Sequence, residues 1–235
     1  MRYETPAPPA EVGKTDGLAY TLWLPEGDPW AGVVIIHGAG SSKESHHDFA
    51  RAARSAGLSA VCFDQRGHGE TGGRLDGRAL EDVATVAALL GDVPLVTRGS
   101  SMGGYLAILA AERLGAAAVV AICPAGSDHL LRGLRGGRFE FRVDAPALES
   151  FLVEHDLGLV VPELRTPMLL LHAEGDEQIP VDHSAELYRA ARMPRKRLIA
   201  LPGGHHRSIQ HDPEMQGESL RFVEKALAAA PPPRG

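Results

Sequence analysis

Short, nearly continuous apolar runs recur along the chain. They are separated by longer stretches in which apolar residues return every three or four positions. The runs lie at residues 18–24, 33–36, 58–63, 95–97, 118–123, 168–171 and 198–201. Uninterrupted apolar character over so few residues is the pattern of strands buried on both faces. Between them, residues 47–56, 80–90 and 102–114 have helical spacing and stop at Gly57, Gly91 and Gly115. Glycine is favoured just past a helix end because it adopts the left-handed backbone there without a steric penalty. Residues 185–191 and 220–229 complete the helical set. Such alternation of strand and helix predicts an α/β fold, with a mostly parallel central sheet and helices on both faces.

One segment breaks the alternation. Residues 124–162 separate two predicted strands where a single helix would suffice. Long excursions in a compact domain are usually functional. We read about 125–162 as a small cap insertion over the C-terminal edge of the sheet, where open α/β sheets bind ligands. Its apolar residues, among them Leu130, Phe139, Phe141 and Phe151, are expected to pack the cap and line a pocket, and Gly133, Gly136 and Gly137 to provide a bend or hinge.

Composition narrows the class. The 235 residues, 44% hydrophobic and 23% charged, suit one domain over 1–235 with a sizeable core. The Pro-rich stretches at residues 6–9 and 231–235 are expected to be loose. A net charge of −6 argues against nucleic-acid and anionic-membrane partners. One basic cluster, Arg132, Arg135, Arg138 and Arg142, is interleaved with Asp128, Glu140 and Asp144 and reads as a solvated face. The N-terminal residues lack the apolar core of a signal peptide, and the longest apolar run, residues 116–123, is too short to span a bilayer. Cys62 and Cys123 each lie in an apolar run and read as buried thiols of a reducing compartment. The expected location is therefore the cytoplasm.

Chemistry enters at Gly99-Ser100-Ser101-Met102-Gly103, the single G-x-S-x-G of the chain, which frames Ser101. An apolar strand precedes it and a helical pattern follows. A strand-to-helix turn this sharp strains the Ser backbone and projects its hydroxyl above the sheet, while the helix N-terminus favours a developing oxyanion. In this setting the motif resembles the nucleophile elbow of the α/β-hydrolase family, and further segments follow in the family's order. His37-Gly38-Ala39-Gly40 resembles the family's oxyanion segment. The resemblance implies donors at the N–H groups of Met102 and of Ala39, with Gly40 as the alternative to Ala39. Asp64-Gln65-Arg66-Gly67-His68-Gly69 resembles the D-x-R-G-x-G loop. No chemistry is assigned to it; Asp64 and Arg66 are expected to brace the loop through nearby backbone or each other.

Removing a proton from a Ser hydroxyl needs a neutral imidazole, and a carboxylate to set its tautomer. The segment Gly175-Asp176-Glu177-Gln178-Ile179-Pro180 is similar to the family's acid loop and implies Asp176 as the acid, with Glu174 and Glu177 as alternatives. Pro202-Gly203-Gly204-His205-His206 resembles the loop that carries the base and implies His206 ahead of His205. No metal-ligand spacing is present, and no metal or cofactor is implied. The fold class implied is the α/β-hydrolase fold. The function implied is cleavage of a small carboxylic ester through a Ser101 acyl-enzyme, in the manner of small bacterial esterases, cinnamoyl-ester hydrolases and dienelactone hydrolases. The last of these use Cys where this chain has Ser101. A peptidase or acyltransferase with the same triad, and a non-catalytic hydrolase-like binding protein, are the alternatives.

Overall fold

The computed structural model describes residues 6–228. Seven strands fall on the seven apolar runs: β2 (Leu18–Trp23), β3 (Gly32–Ile36), β4 (Ser59–Phe63), β5 (Leu95–Ser100), β6 (Ala118–Ile122), β7 (Met168–Ala173) and β8 (Lys196–Leu201). An eighth, β1 (Glu11–Thr15), has no counterpart in the apolar pattern because it is a largely exposed edge strand. Its Glu11 and Lys14 are the kind of charges that discourage pairing with a foreign strand. The sheet order is β1-β2-β4-β3-β5-β6-β7-β8. Pairings that involve β2 are antiparallel and all others are parallel.

Side chains alternate across the sheet and so build two cores. Val34 and Ile36 pack with α2 (Ala79–Ala87) and α3 (Met102–Arg113) on one face. Val33 and Ile35 pack with α1 (His47–Ser55) and α8 (Pro213–Ala228) on the other. Helix α8 begins seven residues earlier than its apolar pattern, because Asp212 caps the N–H groups of Glu214 and Met215 and Pro213 opens the first turn. The Pro-rich segment 231–235 lies outside the described residues.

The excursion between β6 and β7 folds as three helices, α4 (Ser127–Arg135), α5 (Ala145–Glu154) and α6 (Leu157–Val160), followed by α7 (Val181–Ala190) beyond β7. Asp144 and Asp156 cap α5 and α6 through the N–H groups of Ala147 and Gly158. Leu130, Leu148, Phe151 and Leu152 are buried in the same core as Tyr105 and Leu106 of α3. The Tyr105 hydroxyl donates to the His155 carbonyl at 2.6 Å, which ties the end of α5 to α3. The arginine cluster is exposed: Arg132 pairs with Asp128 at 2.8 Å and Arg135 with Glu149 at 2.6 Å.

Chain order reverses at β3, which lies between β4 and β5. The loops leaving the C-terminal ends of β3 and β5 therefore diverge beside one another and open a crevice. Register places Ile36 opposite Gly99, so the His37–Gly40 loop and the Ser101 turn emerge side by side.

Candidate active site

Ser101 is the turn between β5 and α3, with φ 56° and ψ −120°. A non-glycine residue there costs about 1–3 kcal/mol and is retained where the surroundings enforce it. Those surroundings are backbone. The Ser101 N–H donates to Ile122 O at 2.9 Å, and its carbonyl accepts from Tyr105 and Ala125. A Cβ at Gly99 would lie 2.1 Å from Gly103 O, and one at Gly103 would lie 2.1 Å from Ile36 O. Both positions therefore exclude side chains for steric reasons. Met102 opens α3, so its N–H is among those without an intrahelical acceptor.

The facing loop is fixed by two buried histidines. Gly38 O lies 2.8 Å from His37 Nδ1 and accepts the Ser41 N–H at 3.2 Å. A carbonyl can only accept, so His37 carries its proton on Nδ1. Its Nε2 then accepts the Gln65 N–H at 3.1 Å. Burial foremost, then the nearby His68, pushes the His37 pKa down to about 4, which keeps the ring neutral. The Gly40 N–H donates to His68 Nε2 at 3.2 Å. Of the two candidate donors in this loop, Gly40 is therefore already engaged.

Asp176 and His206 meet across the ends of β7 and β8. His206 Nδ1 lies 2.6 Å from Asp176 Oδ2, and the carboxylate is fully buried. Asp176 Oδ1 accepts the N–H groups of Gln178 and Ile179 at 2.8 and 2.9 Å. Burial alone would raise the Asp176 pKa. Hydrogen bonds from His172, His206 and the Ile179 N–H outweigh it and hold the carboxyl well below its ordinary value. His172 had no role in the sequence reading. It is fully buried, its Nε2 lies 2.9 Å from the Ile179 carbonyl and 3.4 Å from Asp176 Oδ2, and Ser184 holds its Nδ1 at 2.7 Å. Its position four residues before Asp176, on an apolar strand, was the available signal.

Cys123 joins this corner. Its Sγ, an Asp176 oxygen and a His206 nitrogen all lie within 4.8 Å of one another. Burial pushes the Cys123 thiol up to about 12, so it stands neutral beside the carboxylate. Both cysteines are free and buried.

The remaining candidates separate cleanly. Glu174, Glu177 and His205 are exposed, and His205 Nδ1 accepts the Arg207 N–H instead of facing Asp176. In the D-x-R-G-x-G loop, Asp64 accepts the N–H groups of Lys43 and Glu70 and pairs with buried Lys43 Nζ at 2.9 Å. Arg66 forks onto Asp82, so Asp64 and Arg66 brace the loop through different partners and not through each other.

Ser101 lines two cavities. The first, about 180 Å³, is polar and shared with Ala39, Ser41, Ser45, Gln178 and His206. The second, about 440 Å³, runs under the 125–162 segment between Ala39, Leu130, Phe139 and Ile179, with Arg132, Arg138 and Glu177 at its rim. A nearby apolar crevice between Leu75, Tyr105, Leu106 and Phe151 holds only about 10 Å³. Among the described residues no helix is long and apolar enough to cross a membrane.

Comparison with known proteins agrees with this fold. The family model described as "Serine aminopeptidase, S33" (Hydrolase_4) matches residues 27–156, more than half of the chain. The monoacylglycerol lipase of Mycolicibacterium smegmatis is 26% identical, the alignment covering 85% of this chain and 89% of the relative. Among solved structures, Est1E from Butyrivibrio proteoclasticus superposes with a TM-score of 0.74 at 17% identity, covering 94% of this chain and 99% of that one. A monoacylglycerol lipase named as from Paleococcus ferrophilus gives 0.70 at 19%, covering 91% and 99%. With its sheet order, its elbow at Ser101 and the family model in agreement, the chain belongs to the S33 family of α/β hydrolases and is a serine hydrolase.

Proposed function

We propose that the protein cleaves carboxylic esters with small acyl groups through an acyl-enzyme on Ser101. The observation that carries this reading is the junction at Ser101. A strained serine at the head of α3 shares a cavity with His206, whose other nitrogen is held 2.6 Å from a buried Asp176. With the Nδ1 proton held by Asp176, His206 Nε2 is free to take the Ser101 hydroxyl proton as Oγ attacks the ester carbonyl. The N–H groups of Met102 and Ala39 receive the negative charge that develops on the carbonyl oxygen. His206 then protonates the departing alcohol, activates a water and releases the acid. Asp176 stays ionised throughout, in keeping with its lowered pKa.

The likeness to a relative named monoacylglycerol lipase favours an ester over a peptide. The apolar crevice beneath α4 and α5 leaves only about 10 Å³, which favours short acyl groups. The test is a series of p-nitrophenyl esters of rising acyl length, run beside the matching anilides and compared by kcat/KM. The maximum is expected at short chains, with anilides far slower. A maximum at long chains, or anilide cleavage without ester cleavage, overturns the substrate class.

A further inference from the structure

We propose that His68 is a positioning residue for the oxyanion loop, joining that loop to the segment that roofs the acyl cavity. The proposal rests on the reading of Ser101 as the nucleophile. His68 lies in the loop after β4 and is 3% exposed. Its Nδ1 is 3.2 Å from Arg66 O, which can only accept, so the proton sits on Nδ1 and Nε2 is left as an acceptor. That acceptor takes the Gly40 N–H at 3.2 Å. A peptide unit is planar, with its N–H and C=O pointing opposite ways. Pinning the Gly40 N–H therefore also fixes the Ala39 carbonyl, and a flip of this unit would aim that carbonyl at the Nε2 lone pair. The preceding unit is pinned through Gly38 O, which sets the direction of the Ala39 N–H. Burial lowers the His68 pKa and so favours the neutral ring that this arrangement requires.

The other face of the ring meets the 125–162 segment. Phe141 stacks on His68 with centroids 3.9 Å apart, and Phe139 stacks on Phe141 at 4.9 Å. Phe139 lines the larger cavity beside Ser101. The backbone is tied at the same place: the Arg142 N–H donates to Gly67 O at 3.3 Å, and Arg142 O accepts from Leu75 at 2.9 Å. An acyl group that presses on Phe139 thus presses, through two rings, on the acceptor that holds the oxyanion loop.

The test compares His68→Phe, which keeps a stacking ring and loses the acceptor, with His68→Gln, whose amide oxygen reaches a similar place. Ser101→Ala serves as control, and p-nitrophenyl acetate is the probe. Deleting one oxyanion donor costs about 10²–10³ in kcat, so misaiming one is expected to cost on the order of 10-fold or more. His68→Phe should lose this in kcat with KM within about 2-fold, and His68→Gln should recover most of it. Unchanged kcat in His68→Phe, equal loss in both variants, or a loss in KM alone overturns the proposal. Nitrogen-15 NMR of the wild-type ring supplies a readout that needs no variant. An Nδ1–H tautomer at neutral pH supports the proposal, and an Nε2–H tautomer or an imidazolium overturns it. Retained activity in Ser101→Ala would refute the nucleophile, whereas an inactive Ser101→Ala beside a fully active His68→Phe refutes only the role of His68.

Discussion

Gly103→Ala tests the geometry of the elbow. The added Cβ would lie 2.1 Å from Ile36 O and 2.6 Å from His37 O, whereas real Cβ atoms essentially never approach within 3.0 Å. The neighbour is backbone at the end of β3 and cannot rotate aside. Moving from 2.1 to 3.0 Å, the first turn of α3 must retreat from β3 by about 0.9 Å. Met102 sits on one side of that gap and Ala39 on the other, so the two proposed oxyanion donors separate by the same amount. A misplacement near 1 Å costs about 10²-fold in rate, or about 3 kcal/mol of transition-state stabilisation. Overpacking should also lower stability by about 1–3 kcal/mol. The assay is kcat and KM with p-nitrophenyl acetate, on protein shown by circular dichroism to be folded at the assay temperature. A folded Gly103→Ala variant that keeps more than a third of wild-type kcat would refute the reasoning.

Other perturbations separate the remaining roles. His206→Ala should abolish turnover while His205→Ala keeps most of it, measured as kcat on one ester; the reverse ranking would move the base by one residue. Asp176→Asn, which no longer fixes the imidazole tautomer, should lower kcat by about 10⁴ with little change in KM. Because Asp176 is held below its ordinary value, its contribution to stability is present above a pH of about 3.9 and is lost as pH falls further, so the acid unfolding curve of Asp176→Asn should be flatter. For His37 the depressed folded value, about 4 against an ordinary value of about 6.5, gives the same sign in a higher window. Its contribution is present above pH about 6.5 and declines towards pH 4, by about 3 kcal/mol in all. Melting temperatures across this range should fall less steeply for His37→Gln than for the wild type.

Much of the architecture was legible because burial writes itself into residue type. Six strands, β2 to β7, are buried along nearly their whole length and carry mostly apolar residues, and helix ends at Gly57, Gly91 and Gly115 carry the positive φ that glycine tolerates. β1 was not legible because its stabilisation is backbone pairing with β2 and its side chains face solvent. Helix α8 was read short because its first turn is set by the Asp212 cap and Pro213, not by apolar spacing. The Ser101 turn could be framed from its G-x-S-x-G spacing, and the segments around Asp176 and His206 from their resemblance to family loops, since each is a local turn. What escaped depends on contacts between distant segments. His172 meets a carboxylate from the next loop, and His68 meets the Gly40 N–H, 28 residues before it, and Phe141 of the 125–162 segment. The choice between Ala39 and Gly40 likewise turns on the ring that occupies the Gly40 N–H.

The nucleophile can be tested in one measurement, by treating wild type and Ser101→Ala with a fluorophosphonate probe and mapping the modified peptide while following ester hydrolysis. Ser101 should be labelled in the wild type. The variant should be unlabelled and folded, with hydrolysis reduced by on the order of 10⁶. Labelling at another residue, or a Ser101→Ala variant that keeps more than a tenth of wild-type activity, would contradict it.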